Sequence, residues 1–212
     1  IGTIYYDYLV IATGSTNNYF GNKEIEKNSM VMKTIPEALN IRSLILENFE
    51  LALQTNDMEE RKALMNFVIV GAGPTGVELA GALAEMKKAV LPKDYPDLDI
   101  SMMGIHLVQG GGRVLDAMSE KSSKAAEKFL KQLGVKIHVN TIVTNYDGNV
   151  VTTKGGEEFN SQAVIWSAGV KGAPVDGIVD ALDRASRIRV NDYNQVEGFE
   201  DVFALGDVAA MY

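Results

Sequence analysis

Three glycines carry the most chemistry in this sequence. Gly71, Gly73 and Gly76 stand in FVIVGAGPTGVELAGALAEM, which runs from Phe67 to Met86. A short apolar run precedes them and an Ala/Leu-rich run follows, the order of a buried strand, a turn and a helix. Gly71 permits the tight turn, Gly73 lets the backbone approach a pyrophosphate, and Gly76 lets the helix pack close on the strand. Pro74 and Thr75 complete the turn, where the first N–H groups of a helix and its partial positive charge favour an anion. A glycine turn used only for packing could be spelled the same way. The strand before it and the helix after it favour dinucleotide binding.

The same logic asks for a ribose-binding acid at the end of the following strand. IHLVQGGGR places Gln109 there. It lies further from Gly76 than the usual spacing of about twenty residues, because the proline-bearing stretch LPKDYPDLDISMMG intervenes. Gln109 can hydrogen-bond a ribose hydroxyl but carries no charge, so weak discrimination between NADH and NADPH is expected. Arg113 follows, either as a phosphate contact or as a solvated surface arginine. Thr75-x-x-Glu78 is a capping-box pattern, which would explain Glu78 without any chemistry. The other reading of Glu78 is a carboxylate beside a reacting nicotinamide. In EGFEDVFALGDVAAM an apolar strand meets Gly206-Asp207, where Asp207 reads as a helix N-cap or a ligand contact.

The elements that must position these residues follow from periodicity. YDYLVIATGST reads as a buried strand over Tyr8–Ala12, and NNYFGNKEIEKNS as a polar loop. TIPEALNIRSLILENFELALQ reads as a helix with Pro36 in its first turn and Ile41, Leu44, Ile45 and Phe49 on one face. Strands are expected over 67–70, 105–109 and 136–140. Helices are expected over 77–90 and 119–133, the latter with Ser119 as N-cap and Gly134 past its end. From Thr141 the pattern becomes short alternating segments divided at Asp147-Gly148 and Gly155-Gly156, both hairpin signals. The fold class is therefore α/β, a Rossmann-like parallel sheet with an inserted antiparallel β-meander. DYLVIATGST and QAVIWSAGVK echo one another, as two related nucleotide-binding units would.

Composition narrows the chemistry. The chain has 212 residues, a formal charge of −8 and no cysteine. The acidic balance and the lack of a basic patch argue against nucleic acid. The lack of cysteine removes disulfides, thiolate metal sites and a redox dithiol within this sequence. His106 and His138 sit in apolar strand patterns and read as satisfied strand residues, so no metal site is assigned. No run approaches the length of a membrane span, and no basic flank followed by an apolar stretch suggests a signal peptide.

Together, YDYLVIATGS, TIPEALNIRSLILENFE, VIVGAGPTGVELAGALAEM, AVIWSAGV and VEGFEDVFALGD resemble the two-dinucleotide-domain flavoprotein oxidoreductases, and within them type II NADH:quinone dehydrogenase. The resemblance implies that Gly71, Gly73 and Gly76 bind the NADH pyrophosphate, that Gln109 faces the adenosine ribose, and that Ala168 and Gly169 line the nicotinamide site. It implies that Thr13, Gly14, Gly206 and Asp207 face FAD and that Glu78 lies near the flavin–nicotinamide contact. Residues 34–173 would form the NAD(P)H-binding domain, flanked by remnants of a related FAD domain at 1–33 and 174–212. The implied reaction is hydride transfer from NADH to FAD and electron transfer to a quinone. The implied parent is a peripheral protein on the cytoplasmic side of a membrane, reached through a C-terminal segment outside this sequence, with a homodimer compatible. The chain alone is expected to be soluble and inactive. Many relatives carry Glu or Asp where Gln109 stands. Thioredoxin reductases and sulfide:quinone oxidoreductases need cysteines that this chain lacks. Ferredoxin- and rubredoxin-type reductases, and a non-catalytic NAD-binding module, stay open.

Overall fold

The structure is a computed structural model and describes residues 2–211. It divides into two compact units. One gathers the described residues up to Asn18 with those from Gly169 onward, and the other runs from Tyr19 to Ala168.

The first unit is built from short ladders. β1 (Leu9–Ile11) pairs in parallel with β12 (Val202–Ala204), β2 (Ser15–Asn17) runs antiparallel to β10 (Val170–Gly172), and β11 (Ile188–Val190) lies parallel to β13 (Ala209–Met211). Ile11, Ile188, Val190, Val202, Ala204 and Val208 form its core. β1 is shorter than its apolar spelling suggests. Ile11 is buried, but Tyr8 and Val10 are exposed.

The second unit centres on a four-stranded parallel sheet in the order β5-β4-β3-β9. These strands are β3 (Asn66–Val70), β4 (Gly104–Val108), β5 (Lys136–His138) and β9 (Ala163–Trp166). Side chains alternate across a strand with a period of two, and both faces of this sheet are covered. Phe67, Ile69, Ile105, Leu107, Ala163 and Ile165 join the core on the helical side. Val68, Val70, Val108, Val164 and Trp166 join a second core on the other side. A strand buried on both faces reads as a continuous apolar run, which is how Phe67 to Val70 is spelled.

The helical face carries α2 (Ile35–Gln54), α3 (Met58–Leu64), α4 (Pro74–Ala89) and α6 (Glu120–Gln132). In α2 the expected stripe is buried at Ile41, Ile45 and Phe49, and Phe49 stacks on Phe67 and Tyr95 with centroids 6.1 and 5.3 Å apart. That helix ends at Gln54 with Thr55 as its C-cap, and Asp57 caps α3. The proline-bearing stretch after α4 holds α5 (Leu91–Asp94) and a 3₁₀ turn at Ile100–Met102. Leu91, Tyr95, Leu98 and Ile100 are buried there, so the stretch is part of the core.

The opposite face is covered by a meander of β6 (Val143–Tyr146), β7 (Val150–Thr153) and β8 (Glu158–Asn160), with turns at the expected Asp147-Gly148 and Gly155-Gly156. It is joined by α1 (Lys23–Asn28), which the polar spelling of 17–29 hides. The Asn22 side chain accepts the N–H groups of Glu24 and Ile25 and so caps α1, and its amide donates to the Thr144 carbonyl at 2.8 Å. Met30 exchanges backbone hydrogen bonds with Val164 and Trp166 at 2.9 and 2.7 Å. These ties draw residues 19–33 into the second unit. The division therefore falls after Asn18 and Ala168, whereas the sequence suggests boundaries at 33 and 173.

Candidate functional site

The glycine turn follows β3 at the C-terminal edge of the sheet, where α4 begins. Gly71 has φ +105°, and a Cβ there would lie 2.6 Å from the Ala168 nitrogen. A Cβ on Gly76 would lie 1.9 Å from the Gly71 carbonyl oxygen. Both glycines are required because backbone passes where a side chain would be. Gly73 differs, since a Cβ there would meet nothing within 4 Å. It is the one glycine of the motif that faces open space.

α4 starts at Pro74, three residues before the expected Val77, because Gly73 is the N-cap and proline suits the first helical position. No side chain caps this helix. Thr75 therefore lies inside the first turn, and the Thr75–Glu78 capping box does not form. Glu78 is exposed, and its side chain makes no hydrogen bond or ion pair among the described residues. The capping box of this chain is at α2, where Thr34 and Glu37 satisfy each other's backbone N–H groups. At α4 no side chain occupies the helix start, the condition that anion binding at a helix N-terminus needs.

A cavity of about 330 Å³ opens beside this turn. Val70, Gly71, Gln109, Gly111, Trp166 and Ala168 are among its walls. It lies where the strand order turns back at β3, with β4 on one side and β9 on the other. Ligands in open α/β sheets bind at such switch points. Phe20 meets the Trp166 ring edge-on at 6.4 Å, supplying an aromatic wall. A larger depression of about 480 Å³ is only the solvated face of α6 around Lys124, Glu127 and Lys128.

The expected site residues separate into those that face the cavity and those that hold it together. Ala168 lines it. Gly169 belongs to the other unit, has φ +76°, and accepts the Asn18 N–H through its carbonyl at 3.2 Å. Gln109 lines the cavity, but its amide is engaged. Its Oε1 accepts the Ala72 N–H at 2.9 Å, and its Nε2 donates to Asp116 Oδ2 at 3.2 Å. Each end of the amide makes one of these bonds, and a second N–H and a second lone pair are the capacity it has for a ribose hydroxyl. Arg113 is also used internally, donating to the carbonyls of Asp116 and Met118 at 2.7 and 3.0 Å. Both bonds come from Nη2 and close a loop. Ser167, which the sequence reading passed over, bridges the Val70 and Gly71 carbonyls at 3.0 and 2.9 Å. Its only signal was its place beside Ala168 after β9.

In the first unit, β1 and β12 end side by side and bring Thr13, Gly14, Gly206 and Asp207 to one edge. Thr13 Oγ1 donates to the Ala173 carbonyl at 2.5 Å, and Ser15 Oγ donates to Asp207 Oδ2 at 2.9 Å. Gly206–Val208 is a single 3₁₀ turn, so Asp207 caps no α-helix. Ser15 is a further residue that the sequence reading missed.

The two histidines lie together on β4 and β5. His106 Nδ1 and His138 Nε2 are 3.0 Å apart, and Phe159 packs edge-on against both rings. Burial pushes His106 down to about 4, with Lys136 adding to the shift. Burial also lowers His138, against the opposing pull of Glu157. Both are neutral structural side chains at neutral pH.

The family model described as pyridine nucleotide-disulphide oxidoreductase matches residues 2–212. The type II NADH:quinone oxidoreductase Ndh of Mycobacterium tuberculosis is 35% identical over 215 residues, covering 97% of this chain and 46% of that protein. The type II NADH:quinone oxidoreductase of Haemophilus influenzae is 34% identical over 219 residues, covering 97% and 49%. A structure of NDH2 from Plasmodium falciparum in complex with NADH superposes with a TM-score of 0.87 at 23% identity, covering 98% of this chain and 45% of that one. A ferredoxin reductase from Rhodopseudomonas palustris superposes with a TM-score of 0.72 at 18% identity, covering 98% and 45%. The chain thus spans about half the length of these curated relatives.

Proposed function

The chain belongs to the pyridine nucleotide-disulphide oxidoreductase family, and on that premise we propose that it is the NADH-binding part of a flavin-dependent NADH dehydrogenase whose electron acceptor is a quinone. The observation that carries the reading is the division of labour among the three glycines. Gly71 and Gly76 are closed by backbone, while Gly73 faces open space at a helix start that no side chain caps. That is the arrangement a pyrophosphate requires. The Gly73–Gly76 turn would hold the pyrophosphate, with Trp166 and Ala168 forming the apolar wall of the same cavity. Thr13, Gly14, Gly206 and Asp207 would contribute one edge of an FAD site, with the Asp207 carboxylate accepting hydroxyl hydrogen bonds. Bound there, FAD would supply the two-electron chemistry, as acceptor of the NADH hydride. Glu78, exposed and unpaired at the start of α4, is free to stabilise charge there.

The quinone assignment rests on the names of the relatives. No helix among the described residues is long and apolar enough to cross a membrane, and we place the whole protein peripherally, at the cytoplasmic membrane surface. Two measurements test the reading. NADH titrated against this chain should quench Trp166, the only tryptophan in the sequence. The protein that contains this chain should oxidise NADH rapidly with a soluble quinone and not with a ferredoxin. Absence of NADH binding rejects the nucleotide site, and turnover with ferredoxin instead of quinone rejects the acceptor.

A further inference from the structure

Gln109 stands where an acid would fix a ribose, yet its own side chain holds an acid in place. One end of its amide is tied to the Ala72 N–H and the other to the Asp116 carboxylate. Asp116 thereby reaches back to the end of β4. A Cβ built on Gly111 would lie 2.9 Å from Asp116 Oδ2 and 3.1 Å from Gln109 Nε2. Gln109, Gly110 and Gly111 line the 330 Å³ cavity, and the exposed Asp116 carboxylate adjoins that lining through Gln109 and Gly111.

The loop that carries it is fastened at both ends. Leu115 takes φ +49° and donates its N–H to the Ala72 carbonyl at 2.8 Å. Arg113 donates from Nη2 to the Asp116 and Met118 carbonyls. Arg113 therefore folds the loop without pairing with the Asp116 side chain. Among the described residues no Lys, Arg or His forms an ion pair with that carboxylate.

Resting on the nucleotide-site reading above, we propose that Asp116 sets a preference for NADH over NADPH, restoring at the adenosine-ribose wall the negative charge that Gln109 lacks. A ribose 2′-hydroxyl can donate to a carboxylate, whereas a 2′-phosphate brings charge of the same sign. At separations of several Å and an effective dielectric near 20, screened by salt, the repulsion amounts to about a tenfold loss of NADPH affinity. Gln109 and Arg113 are positioning residues in this scheme. This revises the weak discrimination expected from Gln109 alone.

The test is titration of NADH and NADPH against the unmodified chain, Asp116→Asn and Asp116→Glu, read by Trp166 fluorescence at low and high salt. We expect the unmodified chain to prefer NADH and the preference to shrink with salt. Asp116→Asn should reduce the NADH:NADPH affinity ratio about tenfold, chiefly by tightening NADPH, and Asp116→Glu should keep it. A ratio within twofold of the original in Asp116→Asn, with both nucleotides still bound, overturns the inference and leaves the nucleotide site standing. Loss of both nucleotides in either variant overturns it in favour of a purely structural role. An unmodified chain that binds neither nucleotide overturns the site itself.

Discussion

Both units bring glycines and a carboxylate to the C-terminal ends of parallel strands, but only one of them leads from there into an uncapped α-helix among the described residues. In the 19–168 unit the strand β3 leads through the glycine turn into α4, a helix of 16 residues with no side-chain cap. That turn is fixed from three sides, by Ser167 on Gly71, by Gln109 on Ala72 and by Leu115 on Ala72. In the other unit β12 leads into a 3₁₀ turn of three residues, and no α-helix occurs among its described residues. Asp207 is positioned there by Ser15, but no helix dipole stands behind it. The lesson is that strand-end letters such as Gly-Asp place a side chain, whereas holding a phosphate takes a helix start and a backbone prevented from moving.

The largest contrast should be in nucleotide retention. We expect the 212-residue chain to bind NADH and to purify without stoichiometric FAD, because the described half-site lacks a helix N-terminus for the flavin pyrophosphate. A yellow protein with one flavin per chain would break the comparison. Next in size is Gly76→Ala. The new methyl group would collide with the Gly71 carbonyl, where backbone cannot yield cheaply, and the cost should be about 3 kcal/mol or more. Gly206→Ala in the other unit has φ +75° but open space around it, so only conformational strain remains, about 1 kcal/mol. Urea unfolding monitored at Trp166 and by circular dichroism would compare the two, and equal costs would remove the distinction.

Gly73→Ala sharpens the comparison further. With nothing within 4 Å of the added Cβ, stability should change by less than about 0.5 kcal/mol. NADH affinity should still fall about tenfold, because the methyl group occupies space that the pyrophosphate needs. Unchanged affinity would mean that the open side of Gly73 is not the phosphate side.

The smallest effects separate the two helix starts. Thr34→Ala should cost about 1 kcal/mol by removing the α2 capping box. Glu78→Gln on the exposed first turn of α4 should stay within about 0.5 kcal/mol. Hydrogen bonds from the Lys33 and Thr34 backbone hold the Glu37 carboxyl below its usual range. The folded state thus binds a proton on Glu37 less readily than the unfolded chain does. That stabilisation is full above the ordinary carboxylate range and is lost as pH falls through and below it. Acid titration of stability should be flatter in that window for Glu37→Gln. A matching loss from Glu78→Gln would place a cap at α4 after all.

The sequence by itself determined the strand, turn and helix around Gly71–Gly76, the two meander turns, the apolar stripe of α2 and the cap of α6 at Ser119. Each of these is set by neighbours within a few residues, through the period of a strand or helix, the φ freedom of glycine, or a hydroxyl reaching the next turn. Only the tertiary structure decided what Gln109, Arg113, Asp116, Ser15 and Ser167 do. Gln109 meets Ala72 across 37 positions, Ser167 meets Gly71 across 96, and Ser15 meets Asp207 across 192. The same limit hid α1, whose cap Asn22 is also tied to Thr144, 122 positions away. Polar side chains have several possible partners along an unfolded chain. Which one they keep is fixed only when the sheet brings the distant strand ends to one edge.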